Sequence, residues 1–130
     1  MRNYYDLQIW HKSKELVKDA YAFTALLPDS ERFGLISQIQ RSAVSIPSNI
    51  AEGCGRDGNK EFIHFLDIAR GSLNELETQI IISTDIHNVC GKEILGKAGE
   101  VSKMLWAFRN KLMPYGSNHN PVSGANNGRE

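Results

Sequence analysis

Glu61 and His64 stand three residues apart in Glu61-Phe62-Ile63-His64. That Glu-x-x-His spacing puts a carboxylate and an imidazole on one side of a helix. In helical bundles the pair is one part of a di-iron or di-manganese site. The site also needs a second Glu-x-x-His and two further glutamates on facing helices. The twin is missing from this chain, because Gln8 stands three before His11 and Thr84 three before His87. The simpler assignment is that Glu61 serves the positive start of a helix and His64 faces solvent. Ser, His and Asp are present but at no spacing that implies a triad. No G-x-S-x-G, Walker A or G-x-G-x-x-G pattern occurs. Cys54 lies in a glycine-rich turn without a readable acid–base partner. Cys54 and Cys90 are too few for a disulfide framework and lack a C-x-x-C spacing. The expectation is a protein with no catalytic residues, no metal and no cofactor.

The polar residues left to explain lie between Gln38 and Arg56. Arg41, Ser45, Ser48 and Glu52 recur at helical spacing, with Asn49 beside them and Arg56 just beyond. They run out of phase with an apolar stripe of Leu35, Ile39, Ala43, Ile46 and Ile50. Two residues of helix turn the direction by roughly 200°, so the polar stripe faces away from the core. Arg41, Ser45, Asn49, Glu52 and Arg56 are therefore a candidate contact surface for a partner or a second copy. A plain solvated face is the bland alternative. A hydrogen-bonded network of Arg41, Asn49, Glu52 and Glu75 between two helices is another. Pro47 sits inside the stretch and leaves the carbonyl of Ala43 without its helical donor. The expected result is a kink near residues 43–47, with Ser42, Ser45 or Ser48 near the freed backbone.

Fifteen basic and fifteen acidic residues cancel over the 130-residue chain. A neutral chain has no strong overall pull on nucleic acid. The charge is unevenly spread, however. Residues 57–90 carry two basic and six acidic residues, a net −4. Residues 91–113 carry five basic and two acidic, a net +3. Lys97, Lys103, Arg109 and Lys111 make the second segment a candidate basic patch. The alternation suits antiparallel pairing or docking between copies, as orientation more than as energy.

Hydrophobic residues form 41% of the chain, and their spacing is helical throughout. Asp6 is positioned to cap a first helix of about 21 residues from Leu7, with Ile9, Leu16, Ala20, Phe23 and Leu27 inward. Pro28 stops it. Asp29 and Ser30 are candidate caps for a second helix reaching about Glu52, and Glu31 suits its positive end. Gly53, Gly55 and Gly58 break that helix. A third helix, capped by Asp57 or Asn59, buries Phe62, Phe65, Ala69, Leu73, Leu76 and Ile80. Ile63, Leu66, Ile68, Ile81 and Ile82 add apolar surface outside that stripe, which calls for an additional neighbour. His87, Asn88 and Gly91 end it. The fourth helix alternates Ile94, Ala98, Val101, Leu105, Phe108 and Leu112, and Pro114 closes it. Residues 114–130 are rich in Gly, Asn, Ser and Pro, and the expectation is a disordered tail. The fold expected is all-α: an antiparallel up-down-up-down four-helix bundle over residues 1–113 with a kinked second helix. No apolar run approaches the roughly 20 residues that span a bilayer, and no secretory signal is visible. A cytoplasmic protein without a membrane partner is the default.

The central stretch also carries a resemblance. Phe33-Gly34-Leu35 with Gln38, Arg41-Ser42-Ala43, Ser45-Ile46-Pro47, Asn49-Ile50-Ala51-Glu52-Gly53 and Arg56 resemble the small bacterial 23S rRNA intervening-sequence proteins. The agreement runs on through Lys60-Glu61-Phe62, Phe65-Leu66, Ala69, Gly71-Ser72 and Glu75-Leu76. Leu7, Trp10 and Leu27-Pro28 fit as well, so it covers about residues 5–112. Such proteins are similar to the accessory subunit of diversity-generating retroelements, a pentamer that binds nucleic acid and a reverse transcriptase. The resemblance implies a four-helix bundle and a homo-oligomer, with a pentameric ring as the suspected form. It supplies no catalytic residues. The neutral charge of this chain departs from the basic retroelement subunit.

Three functions therefore compete. The first is a non-enzymatic homo-oligomeric module that holds another protein. The second is an RNA- or DNA-binding accessory protein using helix four with Arg41 and Arg56. A metalloenzyme on Glu61 and His64 is the third.

Overall fold

The computed structural model describes residues 2–114. Four α-helices account for most of them: α1 (Gln8–Thr24), α2 (Leu35–Cys54), α3 (Asn59–His87) and α4 (Lys92–Lys111). No strand occurs among the described residues. The expected tail from residue 115 onward lies outside them. α1 packs on α2 and α4, and α3 packs on the same two helices. The diagonal pairs, α1 with α3 and α2 with α4, show no comparable backbone approach.

Cross-helix contacts reveal the chain sense. Between α2 and α3, Ser42 meets Gln79 while Ser45 meets Ser72. Between α3 and α4, the Phe62 ring packs on Phe108, and Asp67 meets Arg109. Gly91, just ahead of α4, lies under Ile80 and Thr84 near the end of α3. From Ser45–Ser72 to Ser42–Gln79, and from Phe62–Phe108 to Ile80–Gly91, numbers rise on α3 as they fall on its neighbour, so both pairs are antiparallel.

The core is built largely from the stripes visible in the sequence. Ile9, Leu16, Ala20, Phe23 and Leu27 are buried, as are Ile39, Ala43, Ile46 and Ile50. Ile94, Ala98, Val101 and Leu105 close it from α4. One assignment changes on α3. Leu66 is fully buried, whereas Phe65 lies at the seam against Gly53. The buried stripe thus runs Phe62, Leu66, Ala69, Leu73, Leu76, Ile80. Phe62 and Leu66 stand four apart and share one line along the helix, while Phe65 points toward α2.

The helix ends differ more from expectation. Asp6 does not cap α1. It closes a 3-10 turn, Tyr4–Asp6, whose cap is Asn3, with its side-chain oxygen accepting from the Tyr5 amide at 2.9 Å. α1 is shorter than expected, because Ala25 to Leu27 form turns rather than helix. Asp29 and Ser30 lie in a second 3-10 turn instead of capping α2. Glu31 serves the positive end of α2, its Oε1 accepting from the Leu35 amide at 3.2 Å. Gly58, at φ +82, precedes α3 without a side-chain cap, so neither Asp57 nor Asn59 fills that role. That backbone angle is open to glycine at little cost. Asn88 ends α3 in the left-handed region at φ 57, a conformation asparagine tolerates better than most residues. α2 runs as an unbroken helix through Pro47, which is buried. Near it, the Ser48 hydroxyl donates to the Val44 carbonyl and the Asn49 amide donates to the Ser45 carbonyl, both at 2.8 Å.

Candidate interaction surface

The polar stripe of α2 divides into two kinds of residue. Ser45 and Asn49 turn into the α2–α3 seam. The Ser45 hydroxyl shares a hydrogen bond with the Ser72 hydroxyl at 2.8 Å. Asn49 donates to the Ser45 hydroxyl at 2.9 Å. One turn away, Ser42 donates to the Gln79 carbonyl oxygen at 2.9 Å. Small hydroxyl residues allow the two helices to approach. Their polar atoms then need partners, since an unsatisfied buried hydroxyl costs about 1–3 kcal/mol. The network expected of Arg41, Asn49, Glu52 and Glu75 does not form; two separate groups, Ser42 with Gln79 and Ser45 with Ser72 and Asn49, occupy the seam instead, and Arg41 and Glu75 take no part. Both of those side chains are exposed and without a polar partner among the described residues.

Glu52 and Arg56 belong to the outer surface. Arg56 donates to Glu52 at 2.7 Å, stands 4.0 Å from Glu61, and lies over the Phe65 ring at 4.9 Å. The Glu52–Arg56 pair is an exposed i,i+4 contact worth a few tenths of a kcal/mol. Arg56 has a structural position at the α2–α3 turn, where Arg2 also donates to the Arg56 carbonyl at 2.9 Å.

Half of the candidate basic patch on α4 is neutralised within the chain. Lys97 pairs with Asp19 of α1 at 3.3 Å. Arg109 pairs with Asp67 of α3, through Nε at 2.7 Å and through a second nitrogen at 3.3 Å. Lys103 and Lys111 are exposed and have no side-chain partner among the described residues. The acidic third helix and basic fourth helix thus meet through Arg109 and Asp67 in the same molecule.

Three groupings were not assigned from the sequence. Trp106 is exposed on α4 with the Arg70 guanidinium 4.4 Å and the Arg109 guanidinium 5.3 Å from its ring centre. Tyr4, Tyr5 and Trp10 cluster with ring centres 4.8–5.1 Å apart. His87 Nε2 stands 2.7 Å from Glu31 Oε2, tying the end of α3 to the α1–α2 connection. The first had a local signal, since Trp106 and Arg109 are three apart on one helix. The Tyr4–Tyr5–Trp10 cluster is likewise local in sequence, whereas His87 and Glu31 join segments whose meeting depends on the fold.

The hydrogen bond from His87, then that from the Leu35 amide, hold the Glu31 carboxyl below its ordinary value. Desolvation pushes Glu77, which has no side-chain partner among the described residues, above its own. Burial does the same to the Cys54 thiol, which disfavours the reactive thiolate.

No group of three or more His, Cys, Asp and Glu side chains is placed to hold a metal among the described residues. Glu61 points toward Arg56, and His64 meets the edge of the Phe65 ring. A groove of about 540 Å3 opens between the start of α3 and the end of α4 beside Ile63, Lys60 and Lys111. No described helix is long and apolar enough to cross a membrane.

The outer face of α3 is where apolar surface collects. Ile86 is 63% exposed, Ile81 48% and Ile82 40%, with Ile68 also exposed on the same helix. Phe33, in the α1–α2 connection, is 90% exposed. What the geometry offers is a rigid helical body with apolar and charged faces.

The same shape is known elsewhere. A protein of unknown function from the S23 ribosomal protein family of Bacteroides thetaiotaomicron has a similar solved structure, with a TM-score of 0.71 and 25% identity. The match covers 78% of this chain and 97% of that one. No curated protein matches the chain. A family model described as 23S rRNA-intervening sequence protein matches residues 5–107. That span takes in all of α1, α2 and α3, the Ser42–Gln79 and Ser45–Ser72 seam and most of α4, so the chain belongs to the 23S rRNA-intervening sequence protein family.

Proposed function

We propose that the protein is a non-enzymatic interaction module that works as a homo-oligomer, with a pentameric ring as the suspected form. The observation that carries this reading is the row of exposed isoleucines on α3. A helix that already buries Phe62, Leu66, Leu73, Leu76 and Ile80 in its own core has no need of Ile81, Ile82 and Ile86 outside it. Contiguous exposed apolar residues mark an interaction site more often than scattered ones do. Gly71 lies on the same helix, and a Cβ added there would meet nothing within 4 Å. Its helix-propensity cost of about 1 kcal/mol therefore has no packing reason inside the chain, which fits close approach by another molecule. The ring follows from the resemblance to the retroelement accessory subunit. Multi-angle light scattering at micromolar concentration tests the reading. A defined oligomer is the expected result, and a strict monomer would end it.

A second reading is an accessory protein that binds RNA or DNA. Exposed Trp106 between Arg70 and Arg109, near unpaired Lys103, favours it, because bases stack on aromatic and guanidinium planes. Ring assembly would multiply a weak patch by avidity. Binding through phosphates should weaken between low and moderate salt. Salt-independent retention of structured RNA would contradict that mechanism.

A further inference from the structure

Unpaired charges on the outside of the bundle are sorted by face. From Gly71 to His87, α3 contains no lysine or arginine. Glu75 and Asp85 are exposed there and have no side-chain partner among the described residues. Ile82 and Ile86 stand seven and eleven residues beyond Glu75, on the same side of the helix. This face is acidic and apolar.

A basic and apolar face lies across the α1–α2 seam. Gln40 donates to the Thr24 hydroxyl at 3.2 Å. The start of the chain lies near the end of α2, where Arg2 donates to the Arg56 carbonyl, so α1 and α2 run in opposite senses. Three residues back from Thr24 is Tyr21, and four on from Gln40 is Val44. Both are exposed. Lys14, seven residues before Tyr21, lies over the Trp10 ring at 5.1 Å. Arg41, three before Val44, is exposed and unpaired among the described residues. Glu15 and Asp19, the acidic residues between Lys14 and Tyr21, lie on the side of α1 that faces α4, and α2 has no acidic residue before Glu52. Lys14 and Tyr21 are remote from α3, because α1 and α3 occupy diagonal corners of the bundle; Arg41 is on α2, which packs on α3, yet it meets no carboxylate among the described residues. The cations of α4 are weaker candidates, since Lys97 and Arg109 are already paired internally.

We propose that these two faces dock on each other between copies: the Glu75–Ile82–Asp85 face of α3 on one copy meets the Lys14–Tyr21–Arg41 face of the next. This rests on the reading that the chain assembles with itself. The contact is head-to-tail. Each added copy leaves one face of each kind free until the series closes into a ring. The isoleucines, Tyr21 and Val44 supply apolar contact, and the opposite charges set orientation and exclude the face-to-same-face arrangement.

Three charge-reversed proteins test it by light scattering and sedimentation, beside the unaltered chain. One carries Glu75→Lys with Asp85→Lys, the second Lys14→Glu with Arg41→Glu, and the third all four changes. Each double variant should lose self-association by at least about tenfold, because like charges then face each other. The fourfold variant should regain it, and an equimolar mixture of the two doubles should regain the contact as alternating pairs or open series, since strict alternation cannot close an odd-membered ring. Far-ultraviolet circular dichroism checks that each remains helical, and the mixture gives the same readout if the fourfold chain fails to fold. Double variants that assemble as the unaltered chain does would overturn the pairing of faces while leaving self-assembly intact. Loss without recovery in both the fourfold chain and the mixture would overturn it too. An unaltered chain that is monomeric would instead remove self-assembly itself, and this pairing with it.

Discussion

At the scale of single residues, Gly53 shows how close the α2–α3 seam is. A Cβ there would stand 2.7 Å from the Phe65 Cβ, 2.9 Å from a Phe62 ring carbon and 3.2 Å from the Phe62 carbonyl. A Cβ atom and a backbone oxygen cannot swing aside, so relief requires the helices to part. Gly53→Ala should destabilise the protein by about 1–3 kcal/mol, measured by chemical denaturation. An unchanged midpoint would mean that the seam is looser than these distances. Two carboxylates give opposite pH signatures. Glu31 is held below its ordinary 4.5 by the hydrogen bonds from His87 and the Leu35 amide. Its stabilisation is therefore present above pH 4.5 and lost as pH falls through the lower folded value. Glu77 is raised above 4.5 by desolvation. Its protonated form is favoured in the folded state, so that contribution is full below pH 4.5 and lost as pH rises through the higher folded value. Glu31→Gln should lower the melting temperature at pH 7 and lose that effect in acid. Glu77→Gln should raise it at pH 7, again with the difference vanishing in acid. Melting curves at matched pH from 3 to 7 check both signs.

At the scale of elements, the glycines of α4 separate what the single chain needs from what it does not. Gly91 must remain small, because a Cβ would stand 2.8 Å from Ile80 and 2.9 Å from Thr84. Gly96 and Gly99, inside the helix, would meet nothing within 4 Å. Gly96→Ala and Gly99→Ala should each stabilise the isolated bundle by roughly 0.5–1 kcal/mol. Thermal melting of each variant tests this, and destabilisation by either would show that α4 is packed more closely on that side than its free space allows. The α2–α3 seam makes a different demand. Ser45 and Ser72 share one hydrogen bond and Asn49 adds a second to Ser45. Ser45→Ala leaves the Ser72 hydroxyl without its partner, while Asn49 keeps its bond to the backbone carbonyl of residue 45, and should cost about 1–2 kcal/mol. Ser72→Ala on top of it should cost less than it does alone, a non-additivity that a double-mutant cycle measures.

At the scale of the whole molecule, the bundle settles which charges are available to a partner. Asp67, Arg109, Asp19 and Lys97 are used in joining α4 to its neighbours. Glu75, Asp85 and Arg41 remain outside without partners among the described residues. Self-association through such groups should weaken as salt rises, since exposed charges are screened beyond about 8–10 Å at ordinary ionic strength. The isoleucine contacts should persist. Sedimentation at low and moderate salt should thus show a shift in the association constant rather than complete dissociation. Salt-insensitive assembly would make the charged rims spectators.

The helical repeat by itself determined the four helices and most of the buried residues, from Ile9 to Leu105. Apolar spacing of three and four has one efficient burial solution, which needs no knowledge of the partner helix. Pro28, Gly55, Gly58 and the Asn88–Gly91 turn likewise marked the breaks through local backbone chemistry, whereas Gly53, expected to break α2, lies inside it and is small because α3 packs there. Only the tertiary structure could decide the polar groups. Ser45 and Arg41 lie on one stripe of α2, yet Ser45 finds Ser72 and Arg41 finds no polar partner among the described residues. The difference depends on what α3 places opposite, 27 residues away for Ser72. Phe65 and Leu66 exchange core and seam for the same reason: neighbouring apolar residues cannot be ranked until the facing helix is in place. Glu31 and His87, 56 residues apart, had no local pattern at all. Hydrophobic periodicity is a property of one helix, whereas hydrogen bonds, ion pairs and unpaired charges are properties of the space between two.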